Sequence, residues 1–157
     1  MRRHILACVF LLSSANSVSS DSLQHAISAS PTTCYQQVFK AGHLTRSPAH
    51  RIKSVSLHFD SAMMQNPQEL PIQLRFAIPQ GPAVVAVSAQ CTGSGNWLTC
   101  ASEQGDRFTL QQGPEGRLHL IVAGDGIKNL GRQAEAGPSA APQPPDVYRL
   151  AATKICP

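Results

Sequence analysis

Apolar and polar residues alternate with a period of two through most of the chain after residue 50. This period places every second side chain on one face of an extended strand, so each alternating run predicts a strand with one buried face. The pattern is present in residues 54–59, 72–78, 85–91, 107–111 and 117–122. A chain built mainly of such runs is unsuited to a helical bundle and predicts an all-β fold.

Turn-forming residues separate the alternating runs. Gly81-Pro82 follows one run, a Gln-Gly-Pro-Glu-Gly stretch at 112–116 follows another, and Asp125-Gly126 follows a third. Such residues favour tight turns between antiparallel strands. We therefore expect an antiparallel sandwich or barrel of about six to eight short strands.

Two further elements complete the expected fold. Residues 147–151 predict a last strand, with Tyr148 and Leu150 facing inward. One short N-terminal helix is expected near residues 35–44. Residues 22–30 are a second helical candidate, but we expect them to form a loose arm.

The start of the chain has the three-part order of a secretory signal peptide. A positively charged beginning is followed by an apolar run at residues 5–12 and then by small residues. We expect the signal peptide to span residues 1–20, and cleavage after Ala15 and cleavage after Ser20 both fit the pattern. Because the apolar run is far shorter than the about 20 residues that cross a bilayer, no permanent membrane anchor is expected. The expected location is periplasmic or secreted.

The remaining residues, 21–157, are expected to form a single domain. The whole chain has 13 Lys and Arg against 9 Asp and Glu, and loss of Arg2 and Arg3 with the leader lowers the net charge from +4 to about +2. The basic residues are scattered, whereas nucleic-acid binding requires a dense basic patch, so no nucleic-acid partner is expected. A stretch rich in proline and alanine at 131–146 predicts an extended surface loop.

Four cysteines follow the leader, and Cys8 is lost with it. An even number of cysteines in an exported chain indicates disulfides formed in an oxidising compartment. Pairing of Cys91 with Cys100 leaves Cys34 to pair with Cys156, which would tie the two ends of the chain together. Two other connectivities and four free thiols are the alternatives.

A two-residue turn at Gly95-Asn96 supplies a geometric reason for the first pair. The turn places Cys91 opposite Cys100 as a non-hydrogen-bonded pair with Cα atoms about 4.5 Å apart, a separation that a disulfide accepts. The same register points Trp97, the only tryptophan, away from the face that carries Leu98. Trp97 is therefore a candidate binding anchor. The alternative is that it packs on the far side of a sandwich or covers a barrel end.

Residues that could carry chemistry are sparse. His43, His50 and His58 are spaced unlike any metal-binding motif. His58 and His119 could meet across a sheet, and Met63-Met64 would suit a soft metal, but surface positions are the alternative. No serine elbow, CxxC pair or phosphate-binding glycine loop is present, so we expect no catalytic residues, no metal and no other cofactor.

Three short stretches carry a resemblance to a known family. They are Cys-Tyr-Gln-Gln-Val-Phe-Lys-Ala-Gly-His-Leu at 34–44, Ser47-Pro48 before the first alternating strand, and Val-Tyr-Arg-Leu at 147–150. This pattern resembles an uncharacterised family of small exported proteins of Gram-negative bacteria, whose members carry a Cys-Tyr start, an Ala-His-Leu block and a His-Pro pair. Ser47 stands where the histidine is usual, and residues 100–106 lack the second cysteine and the glycine run that often follow, which puts one extra disulfide in doubt. The resemblance implies a periplasmic location and supplies no activity.

Three functional hypotheses follow from these observations. The first is a non-enzymatic exported β domain that binds an envelope or extracellular partner or supports the envelope. The second is a hydrolase inhibitor or a carbohydrate-binding module that presents the Trp97 hairpin. The third is a periplasmic metal handler or enzyme that uses His43, His50 or His58. The sequence does not identify a particular partner.

Overall fold

A computed structural model describes residues 22–29, 34–40, 52–59, 64, 66, 68–78, 84–123, 126–127 and 145–156. The predicted signal peptide at 1–20 and most of the predicted loop at 131–146 lie outside these residues. The described part contains one α-helix and eight strands. Their bounds are α1 Leu23–Ser28, β1 Cys34–Val38, β2 Ser54–Phe59, β3 Leu70–Ala77, β4 Val84–Thr92, β5 Trp97–Ala101, β6 Arg107–Gln112, β7 Leu118–Val122 and β8 Asp146–Thr153.

The eight strands form one closed antiparallel barrel. Each strand pairs with the next along the chain, and β8 returns to pair with β1. This arrangement confirms the predicted all-β class with one short helix, and it selects the barrel over the sandwich. Closure gives each strand a neighbour on both sides, which removes most of the open edge of the sheet. The ladder from β4 to β5 covers only residues 90–92 of β4.

The alternating residues of each strand divide between the inside and the outside of the barrel as predicted. On β3, for example, Ile72, Leu74 and Phe76 are buried while Arg75 is exposed. Tyr148 and Leu150 of β8 are also buried, in agreement with their predicted inward direction. Large side chains occupy the interior, as is usual for eight strands, which enclose a space just wide enough for side chains. The fully buried ones include Phe59, Phe76, Leu57, Ile72, Leu74, Leu98, Leu110, Leu118, Leu120 and Leu150.

The helix lies elsewhere than predicted. The sequence predicts a helix at 35–44, but residues 34–38 form strand β1, and residues 41–44 lie outside the described part of the chain. The reason is tertiary: β1 pairs with β2 and with β8, so its backbone groups find partners on both sides. Those two ladders outweigh a local helical preference that is weak in any short segment.

The segment at 22–30 was expected to be a loose arm, and it contains α1 instead. Ser22 caps this helix by accepting a hydrogen bond from the backbone nitrogen of His25 at 3.3 Å. The side chains of Leu23 and Ile27 are buried in the main core. The backbone nitrogen of Leu23 also donates to the carbonyl oxygen of Gly95 at 2.7 Å. The helix thus covers the end of the barrel next to the β4–β5 turn, and burial of its two apolar side chains stabilises it.

The ladder between β1 and β8 is shorter than the ladder between β1 and β2. Three residue pairs join β1 to β8, whereas five pairs join β1 to β2. Beyond the last pair, the side-chain oxygen of Gln37 accepts a hydrogen bond from the backbone nitrogen of Arg149 at 2.7 Å. A side chain thereby continues the hydrogen bonding where the two backbones separate.

Two disulfides are formed, with the pairing that the sequence predicted. Cys34 is bonded to Cys156 across 122 residues, and Cys91 is bonded to Cys100 across 9. The first bond joins the start of β1 to the segment that follows β8, and so fastens the same junction that the short ladder closes. Disulfides of this kind are compatible with an oxidising, exported location.

Candidate functional site

The β4–β5 hairpin has the register that the sequence predicted. Cys91 pairs with Cys100 and Thr92 pairs with Thr99. The Cα atoms of the two cysteines are 4.0 Å apart, close to the value for a non-hydrogen-bonded pair. Gly95 has a φ angle of +65°, in the left-handed region that suits glycine in a tight turn. The disulfide and the turn together give this hairpin a single register.

Trp97 is the first residue of β5 and lies on the outer face of the barrel. Its neighbour Leu98 is fully buried, and so is Cys100, whereas Trp97 is 50% exposed. The predicted direction of this side chain is therefore confirmed. A half-exposed tryptophan on the outside of a rigid hairpin is unusual, because such a large apolar surface gains most when it is covered.

Trp97 belongs to a line of four outward residues on four adjacent strands. The register pairs Trp97 with Gln111, Gln111 with His119, and His119 with Arg149. We call these four residues the Trp97 row. Residues paired across antiparallel strands point to the same side, with Cβ atoms about 4.5 to 5.5 Å apart. The row therefore extends for about 15 Å around the barrel.

The position of His119 in this row depends on Gly113. A Cβ atom added to Gly113 would lie 2.8 Å from the Nε2 atom of His119, closer than side chains approach one another. Gly113 itself has an extended backbone, with φ −97° and ψ 176°, that any residue can adopt. The absence of a side chain at position 113 therefore gives the imidazole its place beside the β6–β7 turn.

Two turns beside the row are joined to each other. The backbone nitrogen of Gln112 donates to the carbonyl oxygen of Asn96 at 2.9 Å. The backbone nitrogen of Gly113 donates to the carbonyl oxygen of Arg117 at 2.8 Å, which closes the β6–β7 turn. The first bond holds the Trp97 end of the row against strand β6, and the second fixes the turn that follows β6.

The row carries positive charge and no carboxylate. Within the described residues the one ion pair joins Arg117 to Glu115 at 3.0 Å, and both side chains are exposed. Arg149 is exposed and has no ion pair among the described residues. The next outward positions on the four strands are Thr99, Thr109, Ile121 and Val147, which are uncharged.

Two depressions lie elsewhere on the surface of the described residues. One has a volume of about 220 Å³ and lies against β3, β4 and the β5–β6 turn; Gln73, Ser88 and Gln90 line it. The other is an open space of about 680 Å³ between α1 and the residues that precede β3, lined by His25 and Glu69 among others. Neither contains a set of side chains that indicates a particular ligand.

The histidines are not brought together. His58 is on β2 and His119 is on β7, and the strand order places β1 and β8 between them. The hypothesis that these two histidines meet across a sheet is therefore wrong. His43, His50 and Met63 lie outside the described residues. In the part of the chain that is described, no group of three or more His, Cys, Asp or Glu residues is placed to hold a metal ion.

Asp106 is a buried carboxylate with a local partner. It ends the β5–β6 turn, where its side chain accepts a hydrogen bond from the hydroxyl of Ser102 at 3.0 Å. Its own backbone nitrogen donates to the same hydroxyl oxygen at 3.0 Å. This reciprocal pair satisfies polar groups that are out of water and gives Asp106 a structural role in the turn.

Sequence reasoning found Trp97 but missed its partners in the row. Alternation alone places Gln111, His119 and Arg149 on the polar faces of their strands, because each follows an apolar residue within an alternating run. What alternation does not reveal is that the four residues stand side by side. That follows only from the register of three successive strand pairs.

Comparisons of the chain with protein-family profiles, with curated proteins and with solved structures found no match. Within the described residues, no helix has the length and apolar character needed to cross a membrane. The fold and the Trp97 row are therefore the basis for a functional assignment.

Proposed function

We propose that this protein is an exported, non-enzymatic binding domain that recognises an envelope or extracellular partner through the Trp97 row. The export part of the proposal rests on the signal-like leader, on the resemblance to exported proteins of Gram-negative bacteria, and on the two disulfides.

The observation that carries the proposal is the exposure of Trp97 within a row of polar side chains. Large side chains fill the barrel interior, so a ligand would have to bind on the outside. Tryptophan and arginine are the residue types most often responsible for binding energy at interfaces. The row presents one of each, with an amide and an imidazole between them.

Rigidity also supports a binding role. The β4–β5 hairpin is cross-linked by a disulfide and hydrogen-bonded to the β6 strand. A binding surface on a backbone that is already fixed loses less backbone conformational entropy when it binds, and this increases affinity without additional contacts.

The test is a binding screen that uses Trp97 as its own reporter. The full chain is produced with its leader, purified from the periplasm, and titrated with envelope glycans and with secreted hydrolases while tryptophan fluorescence is recorded. We expect the emission of an exposed tryptophan, and a shift to shorter wavelength with at least one ligand, because binding removes water from the ring.

The matched variants are Trp97→Ala and Val84→Ala, followed by calorimetry. Val84 is 51% exposed and lies at the opposite end of the barrel, so its variant should bind as the parent does. Binding that survives Trp97→Ala for every ligand would contradict the proposal. Native mass spectrometry that finds retained copper or zinc would favour the metal handler instead.

A further inference from the structure

We propose that the ligand of the Trp97 row is a carboxylated glycan, an oligosaccharide that contains uronic acid units. This inference rests on the proposed function, because it assigns a chemical class to the ligand of the same surface. Four observations lead to it: the flat apolar ring, the hydrogen-bonding side chains beside it, the exposed guanidinium that has no ion pair among the described residues, and the linear arrangement.

Trp97 supplies the surface that a sugar ring requires. The faces of a pyranose ring carry C–H groups, and these pack flat against an aromatic ring with its negative quadrupole face. Trp97 is half exposed on the convex outer wall of the barrel. A long polysaccharide can pass over such a surface without having to enter a closed pocket.

Gln111 and His119 supply hydrogen bonds at the next two positions. A side-chain amide both donates and accepts, and a neutral imidazole does the same with its two nitrogens, so each can pair with a hydroxyl group. Both residues are partly exposed, and the imidazole of His119 lies beside the backbone of Gly113, in space that a side chain at position 113 would take. Both side chains can therefore be reached by sugar hydroxyls from solvent.

Arg149 determines the sign of the ligand charge. It stands at the far end of the row, and no carboxylate of the described residues forms an ion pair with it. A guanidinium binds a carboxylate through two parallel N–H···O bonds, which are stronger than bonds between neutral groups. An uncharged glycan or a basic protein surface would leave this cation without a partner, so the charge favours a carboxylated chain.

The length of the row fits a short oligosaccharide. Three cross-strand steps separate Trp97 from Arg149, or about 15 Å. Neighbouring sugar units of an extended chain can therefore lie over the tryptophan and the guanidinium at the same time. The uncharged positions Thr99, Thr109, Ile121 and Val147 flank one side of the row. On the other side, in the β6–β7 turn, the carboxylate of Glu115 is paired with Arg117.

The test compares an acidic chain with its uncharged counterpart. The purified protein is titrated by calorimetry with oligogalacturonate, with oligomannuronate, and with each chain after reduction of its carboxyl groups to alcohols. We expect the acidic chains to bind at least about tenfold more tightly than the reduced chains. We also expect added salt to weaken binding of the acidic chains alone.

Three variants locate the interaction. Arg149→Gln should lower affinity for the acidic chains about tenfold and lower the affinity for the reduced chains much less, because the glutamine amide still hydrogen-bonds hydroxyl groups. Arg107→Gln is its control, since Arg107 is exposed at the other end of β6 and outside the row. Gly113→Ala should weaken binding about as much as His119→Gln, because the new methyl group displaces the imidazole.

The outcomes separate this inference from the proposed function. Equal affinity for acidic and reduced chains, or wild-type affinity in Arg149→Gln, would overturn the carboxylated-glycan assignment. If neither acidic chain binds but a protein or a neutral glycan binds in a Trp97-dependent way, the proposed function stands and this inference is wrong. If a ligand binds and Trp97→Ala has no effect, both are wrong.

Discussion

Two glycines in the β4–β5 hairpin are required for different physical reasons. A Cβ atom on Gly93 would overlap the carbonyl oxygen of Trp97 and would lie 3.0 Å from the Cα atom of Leu98. Gly95 has open space around it, but its φ of +65° disfavours any residue with a side chain. Gly93 is required because a side chain there would clash with the neighbouring backbone. Gly95 is required because its left-handed conformation disfavours residues that have a side chain.

This difference predicts which of two alanine substitutions lowers the free energy of unfolding more. Gly93→Ala should lower the free energy of unfolding by about 1 to 3 kcal/mol, because the backbone itself must move to admit the methyl group. Gly95→Ala should lower it by about 1 kcal/mol, the cost of a left-handed conformation. Urea unfolding of the two variants and the parent measures both values.

Gly95→Asn provides the control, because asparagine tolerates the left-handed region better than alanine does. It should be less destabilised than Gly95→Ala. If Gly93→Ala were as stable as the parent, the close approach of the two strands at this turn would be contradicted.

At the scale of elements, two junctions of the barrel have ladders of three pairs, β4 with β5 and β1 with β8, and a disulfide lies at each. The second junction includes β1, which lacks alternation because its burial changes gradually along its length. Its ladder to β8 has three pairs, and Gln37 adds a side-chain bond to the Arg149 nitrogen. The junction therefore depends on one side chain and one disulfide as well as on backbone pairing.

We predict that Gln37→Leu loosens this junction. The substitution removes the acceptor at 2.7 Å from the Arg149 nitrogen. The free energy of unfolding should fall by about 1 kcal/mol, and the Arg149 amide should exchange its hydrogen faster, because it loses its partner. Hydrogen exchange followed by NMR measures the second effect at a single residue.

Gln36→Leu is the matched control, since Gln36 is the adjacent residue of β1 and pairs through its backbone with Ala151. Its effect on Arg149 exchange should be small. Unchanged protection of the Arg149 amide in Gln37→Leu would show that the side-chain bond does not hold the junction.

At the scale of the whole molecule, the two disulfides constrain the chain over very different distances. The Cys34–Cys156 bond spans 122 residues and the Cys91–Cys100 bond spans 9. Loop entropy assigns about 5 kcal/mol to the first and about 2 to 3 kcal/mol to the second. Their exposure also differs: Cys91 and Cys100 are fully buried, whereas Cys156 is exposed.

We therefore predict that the two bonds are reduced in a definite order. A small reductant added to the folded protein should open Cys34–Cys156 first, because residue Cys156 is exposed whereas both cysteines of the other bond are fully buried. Alkylation followed by peptide mapping should find label on Cys34 and Cys156 before it appears on the other pair. The Cys34→Ala/Cys156→Ala variant should lose about 4 to 5 kcal/mol of stability.

The reverse order of labelling would contradict this prediction. Simultaneous labelling of all four cysteines would also contradict it, because that result requires the core to open before the junction does. Alkylation of the same protein in denaturant, where burial is lost, is the control for intrinsic reactivity.

The Trp97 row illustrates how much of the candidate site was predictable. The β4–β5 register and the outward direction of Trp97 follow from ten consecutive residues, and both were predicted correctly. Arg149 lies 52 positions beyond Trp97 in the chain, and no local pattern connects them. Its place in the row depends on the pairings of β5 with β6, β6 with β7, and β7 with β8.

The sequence by itself determined the all-β class, most strand positions, and the β4–β5 hairpin with its Cys91–Cys100 pair. These properties depend on alternation, turn residues and spacing, which act between residues near one another in the chain. The Cys34–Cys156 pair followed from the sequence only by elimination, because its cysteines are 122 residues apart. The tertiary structure decided that the sheet closes, that residues 34–38 form a strand, that α1 covers one end, and that the Trp97 row exists. Each of these depends on which strands become neighbours around the barrel, and that choice is made by burial and pairing between distant segments.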